Sequence, residues 1–210
     1  MPMPDLNDKH IDVEVLAGQA RENDALLTAL LEGISPRTKA NVLRYNCYRA
    51  LLALAGQCPG RLLPYWDTLV ELLASQHSSS RFNAMRLLAA LAPAVETARL
   101  AAIFEALYAL LDDPAISVAG NLAAVSGQLA LAHPALRERI TARLLDLDAT
   151  HFDPERIDLL KSYAIQSFDL YFADSPDQGA ILAFMDRQRD SRSPKTRKLA
   201  GEFLKKWFPA

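Results

Sequence analysis

Two cysteines in 210 residues, Cys47 and Cys58, cannot make a disulfide framework, and they do not form a Cys-x-x-Cys pair. That usage fits a reducing compartment. Glycine is scarce, at eight residues, and none falls in a phosphate-cradling loop. A dominant charge is also missing. Lysine and arginine total 23 against 25 acidic residues, a formal net charge of −2, so no global basic field draws nucleic acid or a membrane surface. The apolar stretches are too short and too interrupted to span a bilayer. The opening, Met1 to Lys9, has no apolar segment like that of a signal peptide. Together these absences lead to the expectation of a cytoplasmic protein that does not engage a membrane. Period-two alternation is lacking as well, which argues against strands.

What the chain has is alanine and leucine. Half the residues are apolar, and the strong helix formers dominate over the β-branched ones. Residues 1–10 are expected to be flexible, and residues 11–210 to form a single domain. Apolar residues recur at helical spacing from Ile11 to Ile34, with a break near residues 22–24. Further helices are expected over 36–56, 62–75, 80–92, 96–111, 116–132, 136–145, 154–172, 178–189 and 194–208. Turn chemistry separates them at Ser35-Pro36, Cys58-Pro-Gly60, Asp112-Asp-Pro114 and His133-Pro134.

The chain repeats itself. Arg44-Tyr-Asn-Cys-Tyr-Arg49-Ala-Leu-Leu-Ala-Leu-Ala55 returns as Arg81-Phe-Asn-Ala-Met-Arg86-Leu-Leu-Ala-Ala-Leu-Ala92. The second helix of each pair shares one register: Leu43-Arg44-x-x-Cys47, Ser80-Arg81-x-x-Ala84, Val118-Ala119-x-x-Leu122, Leu160-Lys161-x-x-Ala164 and Thr196-Arg197-x-x-Ala200. Repetition at a period of about 20–50 residues marks repeats that bury their apolar faces against neighbours.

This register resembles the HEAT repeat of the HEAT/armadillo families, whose second helix often reads Val-Arg-x-x-Ala after a turn with Asp and Pro. Asp112 to Val118 and Asp190 to Arg197 carry that turn best, and Ala119 departs from the arginine. The resemblance covers about residues 22–208. It implies an all-α, right-handed α-α solenoid of about five helix pairs, with the second helices lining a concave surface. It is nearly silent on activity, because such arrays carry many functions.

On a helix wheel, positions one, five, eight and twelve of each second helix point together toward the core. Positions three, seven and ten point away. These are Tyr45, Arg49 and Leu52; Phe82, Arg86 and Ala89; Gly120, Ala124 and Gly127; Ser162, Gln166 and Asp169; Lys198, Glu202 and Lys205. Two aromatic–arginine pairs thus sit beside a helix stripped to small residues. Aromatics and arginine are the usual anchors of interfaces. The candidate partner-binding set is therefore Tyr45, Arg49, Phe82, Arg86, Gly120, Ala124 and Gln166. The plainer alternative is an arginine stem covering a ring on a solvated face, with small residues for close packing. Asn46, Asn83 and Asn121 recur at position four, where hydrogen bonds between repeats are expected. Cys47, in the small-residue position, is expected in the core.

Chemistry-bearing patterns are sparse. His10, His77, His133 and His151 fall in turns, without metal-helix spacing. Asp146, Asp148 and Asp153 cluster around a connector, without EF-hand spacing. No metal or cofactor is expected. Residues 186–206 hold eight Lys or Arg against three Asp or Glu, a net of +5, which leaves −7 for the rest. Arg192, Lys195, Arg197 and Lys198 form the candidate basic patch. Three function classes follow. The first is a non-catalytic scaffold or adaptor for another protein or peptide. The second is nucleic-acid binding through the basic C-terminal repeat. The third is an enzyme, as in HEAT-like glycosylases or bilin lyases, for which no catalytic constellation is legible.

Overall fold

The computed structural model describes residues 4–208. Among these residues the regular structure is helical throughout, with no strand. The helices are α1 (Val13–Ala20), α2 (Asp24–Gly33), α3 (Asn41–Gln57), α4 (Trp66–Leu72), α5 (Ser78–Leu91), α6 (Thr97–Ala102), α7 (Phe104–Tyr108), α8 (Ile116–Ala132), α9 (Arg137–Leu145), α10 (Pro154–Tyr171), α11 (Gln178–Gln188) and α12 (Pro194–Trp207). Short 3-10 turns join many of them. The chain divides after Val95 into two compact units.

Local chemistry sets several helix starts. The side chains of Asp12, Asn23, Asp153 and Ser193 accept from backbone N–H groups in the first turns of α1, α2, α10 and α12. Three expected helices differ from the structure, one of them 62–75, which is α-helical only over Trp66–Leu72 with a 3-10 turn at Leu63–Tyr65 before it. Another begins at Asn41, not at Pro36. Ser35 Oγ accepts from Arg37 N at 3.1 Å and Thr38 Oγ1 donates to Glu32 O at 3.0 Å, so side chains occupy the backbone there. The segment 96–111 is broken in two at Ile103, where the backbone leaves helical geometry. The break stacks Phe104 on Tyr108, with ring centroids 4.4 Å apart.

In the N-terminal unit, α1 and α2 pack on α3, α4 packs on α5, and α3 packs on α5. Leu16, Leu26, Leu30, Leu51, Leu54 and Trp66 fill its core. Gly33 lies against Cys47: a Cβ at residue 33 would sit 2.3 Å from Cys47 Sγ. Cys47 is fully buried, as its register position implied, and burial pushes its thiol up to about 11. A thiol so raised stays protonated at neutral pH, and the thiolate is the reactive form. With iodoacetamide at pH 8, the folded protein is expected to alkylate at the half-buried Cys58 and to spare Cys47 until denaturant is added. Mass spectrometry finding both sites modified at equal rates would refute this.

In the C-terminal unit, α8 packs on α10 and α10 on α12, flanked by α9 and α11. Phe104, Phe168, Tyr171 and Phe184 are its largest buried rings. At the α8–α10 contact the backbones lie close: a Cβ at residue 127 would sit 2.7 Å from Ser167 O. Ser167 Oγ donates to Ala123 O at 2.5 Å and accepts from Gly127 N at 2.9 Å. A serine hydroxyl is thus set into the backbone of the neighbouring helix at a residue with no side chain.

The arginine at register position two has a repeated task. Arg44 donates to Thr38 O, Arg81 Nη1 to Ser75 O at 2.7 Å, and Arg197 Nη1 to Ser191 O at 2.6 Å. Each reaches back six residues and clamps the turn before its helix. Lys161 stands at the same position but bridges to Asp148 Oδ1 at 2.7 Å. In the third pair, Ala119 is buried, and Asp113 Oδ1 holds the turn by accepting from Ala115 N at 2.8 Å.

The asparagines do not link repeats as expected. Asn46 Nδ2 donates to Leu6 O and Asp8 O at 3.0 and 2.8 Å, tying the opening segment to α3. Asn121 Nδ2 turns back on its own helix, to Ser117 O. Asn83 is buried without a side-chain hydrogen bond among the described residues. Hydroxyls cross the seams instead: Ser80 Oγ to Ile34 O, Ser167 to α8, and Thr196 Oγ1 to Asp158 O. A hydroxyl is short enough to reach a neighbouring carbonyl without holding two helices apart, which a primary amide is not.

Candidate partner-binding faces

The N-terminal unit carries the more distinctive face. Tyr45 on α3 is 58% exposed, and the guanidinium carbon of Arg49, one turn on, lies 5.7 Å from its ring centroid. On α5, Phe82 and Arg86 are half-buried. Both meet a residue that the helix wheel did not single out. Tyr48 of α3 packs edge-on against Phe82, with centroids 5.7 Å apart, and its hydroxyl accepts from Arg86 Nε at 3.4 Å. The α3–α5 contact therefore brings Phe82 and Arg86 of the second pair onto Tyr48, three residues along α3 from Tyr45 of the first.

The electrostatics of this face are simple. Among the described residues neither Arg49 nor Arg86 pairs with a carboxylate. Their charge is held beside π-faces and one phenol, which anchor the side chains without neutralising them. The arrangement offers fixed, forked donors over an apolar floor, which suits a carboxylate beside an apolar side chain. In the echo Tyr48 aligns with Met85 and was not singled out. Its contact needs α3 and α5 side by side.

The C-terminal unit treats its stripe differently. Gly120, expected to face outward, is buried: a Cβ there would lie 3.2 Å from Tyr163 Cε2 of α10. Gly127 and Ser162 are buried too. These small residues let α8 and α10 approach each other, so they do not form an open groove. Ala124 stays half-buried, and Gln166 is exposed. Of the three predicted contact residues in this unit, only Gln166 is exposed. Tyr45, Arg49, Phe82 and Arg86 belong to the N-terminal unit and share its face. Gly120 is withdrawn from any surface by Tyr163.

The basic patch is similarly dispersed by pairing. Arg197 spends its donors on Ser191 O and Arg192 O. Lys198 Nζ lies 3.8 Å from Glu202 Oε1. Lys195 Nζ sits 4.0 Å over the Tyr163 ring. Beyond the patch, Lys206 and Trp207 Nε1 both donate to Asp169 Oδ1 at 2.8 Å. Only Lys198 is in an ion pair, and Arg192 is the member whose side chain has no hydrogen-bond, ion-pair or ring partner among the described residues.

The titratable groups that depart from their usual range have visible structural causes. Burial raises Tyr171 to about 12 and Tyr108 further still, while their hydroxyls bond Thr141 and Ser126. The Arg139 hydrogen bond holds the Glu105 carboxyl below its usual range. The backbone N–H of His151 does the same for Asp112, whose Oδ1 also lies 2.6 Å from His151 Nδ1. Among the described residues no three His, Cys, Asp or Glu side chains are placed to hold a metal ion, and no helix is long and apolar enough to cross a membrane. Comparison with protein-family models, with curated proteins and with solved structures finds no match for the chain.

Proposed function

We propose that the chain is a non-catalytic scaffold or adaptor. In this reading its helix pairs are HEAT-like repeats, stacked as a solenoid within each unit, and the α3–α5 face of the N-terminal unit docks an acidic, aromatic or apolar segment of another protein. The observation that carries the reading is the exposed Tyr45–Arg49 pair on α3 beside Phe82 and Arg86, which Tyr48 holds at the α3–α5 contact. An exposed ring (Tyr45) and a half-buried one (Phe82) beside unneutralised guanidinium groups are what interface centres use. The packing of α3 on α5, and of α8, α10 and α12 in turn, supports the repeat reading.

The double substitution Arg49→Glu with Arg86→Glu tests it. Both arginines lie at least partly in solvent, so the variant is expected to fold and melt like the parent. Proteins captured from native lysate by the parent chain are expected to be lost from the variant, since reversing a charge that meets an opposite one costs several kcal/mol. Equal capture by both would overturn the assignment of this face.

Nucleic-acid binding through the C-terminal repeat is the weaker reading. Arg197 and Lys198 are already engaged, and a phosphate-tracking surface needs several free cations along one face.

A further inference from the structure

The C-terminal unit turns an uncharged face to solvent. None of the 17 residues of α8 carries a charge. A helix that is apolar all round is normally buried. Yet Gln128 and Leu131 of α8 are exposed, and Ala124 is half-buried. Its neighbour α10 leaves Leu159, Tyr163, Gln166 and Leu170 at least partly in solvent, at the spacing of one helix stripe. Six large apolar side chains are exposed among the described residues. Three of them belong here: Leu131 at 45%, Leu159 at 37% and Leu170 at 49%. Apolar side chains gathered in this way mark contact surfaces, whereas scattered ones do not.

The two stripes share one side of the helix pair. A Cβ at Gly120 would lie 3.2 Å from Tyr163 Cε2, and one at Gly127 would lie 2.8 Å from Leu170 Cδ1. These contacts run in the same order along both helices, so α8 and α10 are parallel neighbours. At about 3.6 residues per turn, Ala124, Gln128 and Leu131 fall to one side of the two glycines. The α10 stripe falls to the same side of its own contact line. Charge is confined to the rim. Arg156 pairs with Asp153 before the stripe begins, and Lys206 donates to Asp169 where it ends. Lys195 reaches in from α12, with Nζ 4.0 Å over the Tyr163 ring. An uncharged centre within a polar rim is the anatomy of an interface.

We infer that the α8–α10 face is the contact between two copies of this chain, which associate reversibly about a two-fold axis. Two-fold symmetry sets a patch against itself, so a charge near the axis meets its like. A face without charge carries no such penalty, whereas a basic or acidic one would need a partner of opposite sign. The size sets the strength. Helices of 17 and 18 residues, about 9 Å apart, present roughly 500 Å². Two such faces bury about 1,000 Å², the low end for a specific contact and below the roughly 1,600 Å² of a standard one. The dimer is therefore weak. With the axis normal to the face, the helices of the two copies run antiparallel, and Leu170 of one copy lies toward Leu159 of the other. The inference does not depend on the α3–α5 face.

Sedimentation equilibrium of the full chain tests it. A monomer–dimer equilibrium is expected, with a Kd on the order of 10 μM. Added salt should not loosen it, since screening weakens only charged contacts. Leu170→Lys should raise the Kd about tenfold or more, because it sets an unpaired charge into an apolar contact. Leu159→Glu with Leu170→Lys should recover most of that loss, because each new lysine meets a new glutamate across the axis. Both side chains are partly in solvent, so the variants should melt near the parent at low concentration. Leu131→Gln reads the same face without adding a charge and should weaken the dimer severalfold. The proposal is overturned if the parent stays monomeric, or if Leu170→Lys and Leu131→Gln dimerise as tightly as the parent. A double variant no tighter than Leu170→Lys alone would equally overturn it. So would a dimer that loosens with salt or is lost in Arg49→Glu with Arg86→Glu, since either outcome would place the contact on another face.

Discussion

Gly127→Val is expected to destabilise the C-terminal unit more than any other substitution considered for this chain. The new Cβ would lie 2.7 Å from Ser167 O and 2.8 Å from Ser167 Cα. Both are backbone atoms inside α10, so no rotamer change can clear them. The helix must move, and α10 is held on both sides, against α8 and α12. Moving it also pulls Ser167 Oγ from Ala123 O and Gly127 N. Overpacking of this kind costs about 1–3 kcal/mol and occasionally more, and the broken hydrogen bonds place the total near the upper end. Valine's better helix propensity returns only a few tenths of a kcal/mol. At about 2–4 °C per kcal/mol for a chain of this size, the unfolding transition of the C-terminal unit should fall by roughly 6–12 °C.

Gly120→Ala is the internal control. There the Cβ would meet Tyr163 Cε2 at 3.2 Å, the edge of a half-exposed ring that can swing aside. Replacing a mid-helix glycine with alanine gains about 1 kcal/mol of propensity, which offsets that contact. Calorimetry should therefore separate two glycines seven residues apart on one helix. If Gly127→Val melts no lower than Gly120→Ala, the close approach of α8 and α10 is not what holds this unit.

That pair also shows where the sequence stopped being legible. A helix wheel assumes one buried face, and on that assumption Gly120, Ala124 and Gly127 point to solvent. Helix α8 is packed on more than one side, so its small residues are the seat of the next helix. The same error of neighbours hid Tyr48, which lies on neither wheel stripe and finds Phe82 and Arg86 only across the α3–α5 contact. Helix positions were far easier to read. The segments from α8 to α12 follow local turn residues and caps, so their bounds lie within a residue or two of those expected. The asparagine ladder misled because its repetition suggested a shared role. Asn46, Asn83 and Asn121 have three different surroundings, and only the neighbours decide which bond each makes.

Arginine makes the opposite case, in which repetition did carry a shared role. Arg81→Met is expected to destabilise the N-terminal unit by about 1–2 kcal/mol. A hydrogen bond from a charged donor is worth about 1.5–3 kcal/mol when buried, and Arg81 is half-exposed, which lowers the figure. The clamp at Ser75 O fixes the turn between α4 and α5, so its loss also frees the start of the repeated helix. Methionine keeps most of the apolar stem, so the loss reads the guanidinium alone. Arg81→Lys should fall between, because one ammonium replaces a planar fork that reaches back six residues. Urea denaturation should show a lower midpoint with an unchanged slope. An unchanged midpoint would mean that the clamp is incidental. Arg86 lies five residues further along α5 and should behave in the reverse way. Its charge reversal together with Arg49 is expected to remove partner capture and spare stability, whereas Arg81→Met lowers stability and spares capture by the folded fraction. The two substitutions would thus assign the two arginines of one repeated motif to different jobs, the first to the turn and the second to the surface. A variant at Arg81 that lost capture while melting normally would reverse that assignment, and would place the binding surface at the start of α5 rather than along its middle.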